Sequence, residues 1–358
     1  MKEDGKKEDS KITIYSIAKE AGVSPATVSR VMTGNAKVAR DKRERVLSLI
    51  EKYNFTPSAV ARGLSDTRSR IIGIIVADIR NTFYADLYVA CELAAQREAY
   101  TLMMLNSFGD LEIEKKQLNK LIEWRAEAII QLGGAVDDLV SKKDYVNLVN
   151  DIASEIPMVV TGKLDGTDCY RVQIDAKEAM DMLLEHLHEN NNRRIALLGG
   201  RNDVESTNVK YNRFLERKDK YGFIADDIYL NNWGGYSVED GIRSMDELFL
   251  KLKLSGDPLP DAVLCINDNN AVGVIHSIKK HGYRVPEDIS VVSYDNIDLA
   301  KISDPAITSV DYDYDELGQT LINTVLDAIG KKEIERLTLL KPKGVVVRSS
   351  SDYKRSVI

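Results

Sequence analysis

The chain has 358 residues, of which 44% are hydrophobic and 29% charged, and a formal net charge of -7 at pH 7. This length exceeds one ordinary domain, and the sequence contains neither an apolar run of bilayer-spanning length nor the apolar stretch of a secretory signal. The three cysteines, Cys91, Cys169 and Cys265, are far apart and form no CxxC pair, which favours a reducing compartment. We therefore expect a cytoplasmic protein with a small module and a larger body, without a metal or a cofactor.

Positive charge is concentrated near the N-terminus. Residues 11–70 contain twelve Lys or Arg and five Asp or Glu, whereas residues 71–358 carry a net charge of -13. Because a phosphate backbone attracts basic surfaces and repels acidic ones, this division predicts a nucleic-acid partner for the N-terminal segment alone.

The N-terminal segment begins with a charged stretch and continues with two short helices. Residues 1–11 have no periodicity and are predicted to be a disordered tail. Apolar residues at helical spacing predict a first helix that starts near Thr13 and ends at Gly22, which tolerates a left-handed conformation. The second helix starts almost at once, with Ser24 as its cap and Pro25 in its first turn.

Two short helices joined by a tight turn are typical of a helix-turn-helix motif. A third helix is predicted over residues 40–53, with Asp41 near its start in place of the capping side chain that Ala39 lacks. Together the three helices predict a DNA-binding domain over residues 12–57. The alternative is a small helical bundle with solvated charges.

The second helix of such a motif enters the major groove. Small residues at its start let the backbone approach, hydroxyl groups reach phosphates or base edges, and an arginine can pair with guanine. The candidate DNA-binding residues are Ser24, Pro25, Ala26, Thr27, Ser29 and Arg30.

A short segment, SAVARGL, follows at residues 58–64. It is too short to form a stable helix alone in water, and Leu64, at its end, has no obvious core to join. The stability of this segment must therefore come from elsewhere, and one possibility for Leu64 is packing on the larger body.

From Ile71 onwards, short apolar runs alternate with amphipathic helical stretches almost to the C-terminus. This alternation predicts an α/β body over residues 71–358, built of doubly wound parallel sheets in two lobes. The predicted ranges are about 71–170 with 300–335 for lobe 1, and about 171–299 with 336–358 for lobe 2. Ligands bind such sheets at the carboxyl ends of the strands, which indicates the loops at 78–84, 106–108, 266–270 and 294–296 and the stretch after Arg201.

The run TIYSIAKEAGVSPATVSRVMTGNAKVARDKRERVLSLIEKYNFTPSAVARGL, residues 13–64, resembles the head of the lactose and galactose repressor (LacI/GalR) family. The alternation after residue 71 resembles the periplasmic-binding-protein-like body of the same family. The resemblance implies that Pro25, Ala26 and Arg30 read bases. It also implies that residues 58–70 form a hinge helix and linker, in which SAVARGL is the hinge helix and Leu64 wedges between base pairs in the minor groove.

Carried over residue by residue, the resemblance also implies an effector pocket between the lobes. Its candidate residues are Phe83, Arg213, Tyr236, Asp268 and Asp295. For Arg213 and Asp295 the alternative is a structural ion pair on the lobe surface. The spacing of the loop at residues 206–208 departs from the family pattern, so no contact is assigned there.

These observations predict a transcription regulator, of repressor type, that binds palindromic operator DNA as a homodimer and senses a sugar-like effector. A solute-binding protein of a transporter is the alternative, although the basic head disfavours it. An enzyme is disfavoured because the sequence shows no triad signature and no convincing acid and base pair. The sequence leaves open the effector, with a nucleobase or a phosphoprotein corepressor as alternatives to a sugar. It also leaves open the sign of the response, the target genes and any oligomer beyond the dimer.

Overall fold

The computed structural model describes residues 12–32, 38–55, 68–230 and 233–356. These residues form two compact units, the head and the core, which divide between Ser69 and Arg70. The predicted tail at residues 1–11 and the predicted hinge helix at residues 58–64, with Leu64, lie outside the described residues.

The described part of the head contains three helices. They are α1 (Ile14–Ala21), α2 (Pro25–Met32) and α3 (Arg40–Lys52). Thr13 and Ser16 form a reciprocal capping box at the start of α1, and Gly22 ends that helix at a φ of 67°, as predicted. The buried apolar faces of the three helices pack into one small core of Ile17, Ala18, Ala21, Val28, Val31 and Val46.

Strands and helices alternate through the core, as the apolar runs predict. The described strands are β1 (Ile71–Val76), β2 (Thr101–Asn106), β3 (Ala128–Leu132), β4 (Met158–Val160), β5 (Tyr170–Ile174), β6 (Ile195–Leu198), β7 (Ala262–Cys265), β8 (Ser290–Asp295), β9 (Thr308–Asp311), β10 (Leu337–Leu340) and β11 (Gly344–Val346). The helices are α4 (Thr82–Arg97), α5 (Leu111–Glu123), α6 (Lys143–Ala153), α7 (Ala176–Glu189), α8 (Glu205–Tyr221), α9 (Asp227–Leu230), α10 (Val238–Ser255), α11 (Asp268–Lys280), α12 (Asp298–Ile302) and α13 (Tyr314–Ile329). A 3-10 turn covers Gly134–Asp137.

The strands form two sheets. The first sheet has the order β10-β5-β4-β3-β1-β2 and the second the order β11-β9-β8-β7-β6. All pairings are parallel among the described strands except that of β11 with β9. The central strands are buried on both faces, as expected for doubly wound sheets covered by helices. The predicted two-lobed α/β architecture is confirmed.

The lobe boundaries differ from the predicted ones. Strands β5 and β10, assigned to lobe 2 from the sequence except for Tyr170, pair in parallel with each other in the first sheet. Strand β9, assigned to lobe 1, pairs with β8 in the second sheet. The chain therefore crosses between the sheets after β5, after β9 and after β10. An apolar run shows that a strand forms, but the partner of that strand is set by contacts distant in the sequence.

None of the helices in the described part of the chain is both long and apolar enough to cross a bilayer.

Candidate functional site

The predicted DNA-binding residues from Ser24 to Arg30 lie on a face of the second helix that is exposed or half-buried. Ser24, Ala26 and Arg30 are exposed, and Pro25, Thr27 and Ser29 are half-buried, while Val28 on the opposite face is completely buried in the core of the head. The helical period thus separates a polar face from the packed face.

The hydroxyl groups at the start of α2 already have a structural role. The Ser24 Oγ accepts a hydrogen bond from the Thr27 backbone N at 3.2 Å and lies 3.0 Å from the Thr27 Oγ1. This bond caps the helix, so the first turn of α2 is stabilised without bound nucleic acid.

The core contains a cleft of about 1730 Å³. Residues that follow the carboxyl ends of strands in both sheets line it, as the parallel topology predicts. The hydrogen bonds that connect the two sides include those from Leu139 N to Asp203 O at 2.8 Å and from Asn269 Nδ2 to Asn81 Oδ1 at 3.4 Å. The cleft is therefore flanked by contacts that depend on the distance between the lobes.

Three of the five predicted effector-binding residues line this cleft: Phe83, Tyr236 and Asp295. The centroid of the Phe83 ring lies 6.5 Å from that of Tyr312, with the rings edge to face, and 5.7 Å from that of Tyr314, with the rings tilted. These rings form an aromatic cluster beside the cleft. The Tyr236 hydroxyl lies 2.8 Å from the Thr207 Oγ1, and burial raises its pKa to about 12. Tyr236 is therefore a neutral hydrogen-bonding group.

Asp295 is the last residue of β8. It adopts a φ of 100°, a conformation that costs energy for a residue with a side chain. Only 8% of its surface is exposed, and this burial raises the pKa of its carboxyl above the ordinary value, against the opposing charge of Lys210. An acidic side chain that lines a cleft and belongs to a residue with a strained backbone is typical of a binding site.

Lys210, which the sequence did not single out, is the basic residue of α8 that lines the cleft. Its Nζ lies 3.9 Å from the centroid of the Tyr294 ring and donates to the Ile266 carbonyl at 3.3 Å. Burial lowers its pKa, and the nearby carboxylates Asp295, Asp268 and Asp137 act in the opposite direction.

Arg213 does not line the cleft, contrary to the prediction. Its guanidinium pairs in a fork with the Asp181 carboxylate and donates to Glu216 Oε2 at 3.0 Å. Phe214 is completely buried in the lobe core, and Lys210 lies one helical turn before it on the same side of α8. Arg213 therefore faces α7, which carries Asp181, and forms the structural ion pair that was its alternative.

Asp268 also lies outside the lining of the cleft and is completely buried at the start of α11. Its carboxylate accepts hydrogen bonds from the Ser293 hydroxyl and, at 2.9 Å, from the Ile297 backbone N. Burial raises its pKa to about 6. The position of Asp268 supports a structural role: it ties α11 to the end of β8 and the following loop.

Asp137, another residue not singled out from the sequence, ends the 3-10 turn after β3 and lines the cleft. Burial, reinforced by nearby acidic groups, raises its pKa to about 7. The buried Glu114 holds this turn by accepting a hydrogen bond from Ala135 N at 3.3 Å. The sequence did contain a signal for this residue of the cleft: Asp137 is a carboxylate that follows β3 and the glycine pair at residues 133 and 134.

His, Cys, Asp and Glu side chains form no group of three placed to hold a metal ion within the described ranges.

Comparisons with known proteins agree with the head and with the core. Residues 13–58 match bacterial regulatory proteins of the lacI family, and residues 184–351 match a periplasmic binding protein-like domain. Catabolite control protein A of Staphylococcus epidermidis (strain ATCC 12228 / FDA PCI 1200) is 32% identical over 342 residues, which cover 95% of this chain and 99% of that protein.

Solved structures with the same fold include the following two. One is the lac repressor dimer bound to operator and the anti-inducer ONPF, with a TM-score of 0.80 and 24% identity over 95% of this chain and 99% of that one. The other is the transcriptional regulator CelR in complex with cellobiose, with a TM-score of 0.68 and 23% identity over 95% of this chain and 100% of that one. With a helix-turn-helix head, a two-lobed core and a relative 32% identical along almost its whole length, the chain belongs to the lacI family of bacterial regulatory proteins.

Proposed function

We propose that the chain is a cytoplasmic homodimeric repressor that binds palindromic operator DNA through α2 and responds to a sugar or sugar derivative in the cleft of its core. Its family makes it a DNA-binding transcription regulator and not an enzyme. The observation that carries the proposal is the presence in one chain of an exposed helix on a basic head and a cleft with polar side chains from both lobes.

The dimer and the operator follow from the geometry of helix-turn-helix recognition. One head reads one half-site, so a palindrome requires two heads related by twofold symmetry. The lac repressor structure noted above is a dimer on its operator, which supports the same arrangement here. A solute-binding protein of a transporter does not require a basic DNA-binding head, so this alternative is not favoured.

The cleft supports a polyhydroxylated effector. Aromatic faces such as Phe83 can stack on a sugar ring, and paired carboxylate and amide groups can hold its hydroxyls. The relative CelR is described with cellobiose and the lac repressor with ONPF. A ligand that binds one separation of the lobes better than another would shift the population of DNA-binding states.

Selection from random duplex DNA with the full chain, at one stated salt concentration, tests the proposal. We expect enrichment of a palindrome, and its affinity should change when saccharides are added. An increase in affinity would identify a corepressor and a decrease an inducer. Enrichment of no sequence, with and without saccharides, would contradict the proposal.

A further inference from the structure

The chain enters the core at Arg70, the residue that precedes β1. Arg70 is exposed and adopts a φ of 53°, in the left-handed region that residues with a side chain rarely occupy. Such a conformation costs energy and persists only where the surroundings impose it. The contacts of Arg70 therefore show what holds this junction in place.

Glu127 holds the junction from its position just before β3. Its Oε1 accepts a hydrogen bond from the Arg70 backbone N at 2.8 Å, and its Oε2 accepts one from the Tyr100 hydroxyl at 3.0 Å. Its own backbone N donates to the Ile71 carbonyl at 2.8 Å. Because a hydrogen bond to a carboxylate is stronger than one between neutral groups, Glu127 fixes the direction of the chain where it enters β1.

The junction is also joined to the sheet of lobe 1. The Arg70 carbonyl accepts a hydrogen bond from Thr101 N at 2.9 Å, at the start of β2. On the other side of β1, Ile72 lies opposite Ala128 of β3. The Tyr100 side chain, which holds Glu127, is only 9% exposed and belongs to the apolar core of this lobe. Arg70 therefore moves with the sheet as one body.

The strands that hold Arg70 run from the junction to the cleft. Strand β1 is followed by Ala77 and Asp78, and β3 by the turn that carries Asp137, and these three residues line the cleft. The six residues of β1 span about 20 Å. A displacement of lobe 1 that begins at the cleft therefore carries Arg70 with it.

Lobe 2 contains a similar arrangement in a different place along the chain. Asp261 lies just before β7, and its Oδ2 accepts hydrogen bonds from the backbone N of Arg193 and of Arg194, each at 2.8 Å, just before β6. The chain that enters β6 comes from α7, within the same lobe. In lobe 1 the strand fixed by a carboxylate instead follows the segment that joins the head to the core.

The place where this segment meets the core matters because two heads must read one palindrome. Both heads of a dimer can occupy their half-sites only if the two linkers leave the cores at a separation that fits the operator. Binding of the second head depends on its effective concentration at the second half-site. A linker with a fixed origin concentrates the head at one spacing, whereas a loosely held linker spreads it over several.

We propose that Glu127 is a positioning residue that fixes where the linker leaves the core and thereby sets the half-site spacing that the dimer prefers. Glu127 acts through the backbone of Arg70 and needs no contact with DNA itself. Loss of its carboxylate should relax the choice of spacing and leave the bases preferred within each half-site unchanged. This inference rests on the proposed dimer on a palindromic operator, and it adds a determinant of operator choice that lies in the core.

The test uses the full chain and the palindrome selected from random DNA, with versions that carry one inserted or one deleted base pair at the centre. One base pair changes the separation of the half-sites by about 3.4 Å and their relative rotation by about 35°. Fluorescence anisotropy at one salt concentration gives the affinity for each duplex. In the unmodified chain, either change of spacing should lower the affinity at least about tenfold, and in Glu127→Ala at most about threefold.

Two conservative variants refine this comparison. Glu127→Gln keeps an oxygen that can accept the hydrogen bond from Arg70 N, so it should retain the spacing preference of the unmodified chain. Tyr100→Phe keeps the buried ring but removes the hydroxyl that holds the Glu127 carboxylate, so its loss of affinity should lie between those of the unmodified chain and Glu127→Ala. Because it removes a single hydroxyl group, Tyr100→Phe also decides the question if Glu127→Ala does not fold.

Asp261→Ala is the matched control, since it removes from lobe 2 a carboxylate with the same kind of backbone contacts. Like Glu127→Ala, it should lower the urea concentration at the midpoint of unfolding. Unlike Glu127→Ala, it should keep the spacing preference of the unmodified chain. If Glu127 contributed to stability alone, the two variants would behave alike in both measurements.

Three outcomes would overturn the inference while the proposed function stands. They are an unmodified chain that binds all three spacings equally well, a folded Glu127→Ala or Tyr100→Phe variant with the full preference for one spacing, and an Asp261→Ala variant that loses this preference as Glu127→Ala does. If selection with the unmodified chain enriches no palindrome, the proposed function itself fails.

Discussion

Two basic residues of α8, Lys210 and Arg213, are only three positions apart but have different surroundings. Lys210 is enclosed in the cleft and lies near carboxylates without forming an ion pair with them, whereas Arg213 is held by Asp181 and Glu216 outside it. A charged side chain with a bidentate partner is already satisfied. Of the two, Lys210 is therefore the group available to a ligand.

This difference gives the first prediction. Lys210→Met should lower saccharide affinity at least about tenfold, because it removes a charge-assisted hydrogen bond in a partly dry site. Arg213→Met should leave saccharide affinity within about twofold and lower the free energy of unfolding by about 1 kcal/mol, since the ion pair is partly exposed. Titration calorimetry and urea unfolding of both variants measure the two effects. A large loss of affinity in Arg213→Met would contradict the assignment.

Asp137 gives a prediction on pH. The pKa of its carboxyl is raised from 3.8 to about 7 by burial, so the folded state holds the proton more tightly than the unfolded state. Its contribution to stability is full below pH about 4 and is lost as the pH rises through about 7. Asp137→Asn should therefore be more stable than the unmodified chain at pH 8, by roughly 1 kcal/mol or more, but not at pH 4.

Urea unfolding at the two pH values measures this difference. Asp203 is a control of opposite sign, because Arg201 lowers the pKa of its carboxyl, so Asp203→Asn should not be stabilised at pH 8. In the same experiments, Asp137→Asn should bind saccharides more weakly than the unmodified chain. A variant that is neither stabilised at pH 8 nor weakened in binding would show that Asp137 is not a buried acceptor in the cleft.

At the scale of elements, local signals were sufficient for the head. The start and end of α1 follow from Thr13 and Gly22, whose conformations depend on neighbouring residues only. Helix α3 starts at Arg40 although Ala39 supplies no side-chain cap, and Asp41 in its first turn has the sign that the helix dipole favours.

The core was predictable in its architecture but not in its connections. Alternation of apolar runs and helices indicated parallel sheets, whereas the sheet to which β9 and β10 belong depends on pairings with distant strands. The same limit applies to the cleft. Phe83, Tyr236 and Asp295 lie at strand ends or next to loops, which the sequence indicates. The face of α8 that lines the cleft is instead set by the packing of Phe214 in the lobe core, and the sequence alone does not show it.

Helix α2 carries the prediction for DNA recognition. Arg30 is exposed beyond the buried Val28, and an arginine in this place can pair with a guanine edge. Arg30→Ala should weaken binding to the selected operator by about 1 to 3 kcal/mol and relax the base preference at one position of each half-site. Arg45→Ala is a control, since Arg45 is an exposed arginine of α3 that pairs with Asp41. It should reduce affinity without changing the preferred sequence. An unchanged sequence preference in Arg30→Ala would contradict base reading.

At the scale of the whole molecule, the described residues form two units with opposite charge balance. In the proposed function, the effector binds the core and DNA binds the head. Coupling between two equilibrium binding sites is reciprocal. A homodimer has two clefts for one operator, so the factor by which saturating saccharide changes the operator affinity must equal the product of the factors by which operator DNA changes the saccharide affinities of the two clefts. For a coupling free energy of about 1 to 3 kcal/mol at each cleft, the factor for each cleft is roughly 5 to 150.

The final prediction is therefore a fixed relation between two measured ratios: for two equivalent clefts, the ratio for the operator equals the square of the ratio for the saccharide. Fluorescence anisotropy gives the dissociation constant of the operator with and without saturating saccharide, and calorimetry gives that of the saccharide with and without saturating operator. Both must be measured at the same salt concentration, because the contacts of the basic head with phosphates weaken steeply as salt increases. Lys210→Met should move both titrations to higher saccharide concentration without changing the operator affinity of the free protein. A ratio for the operator that departs from the square of the ratio for the saccharide would show that two equivalent clefts in one dimer do not account for the coupling.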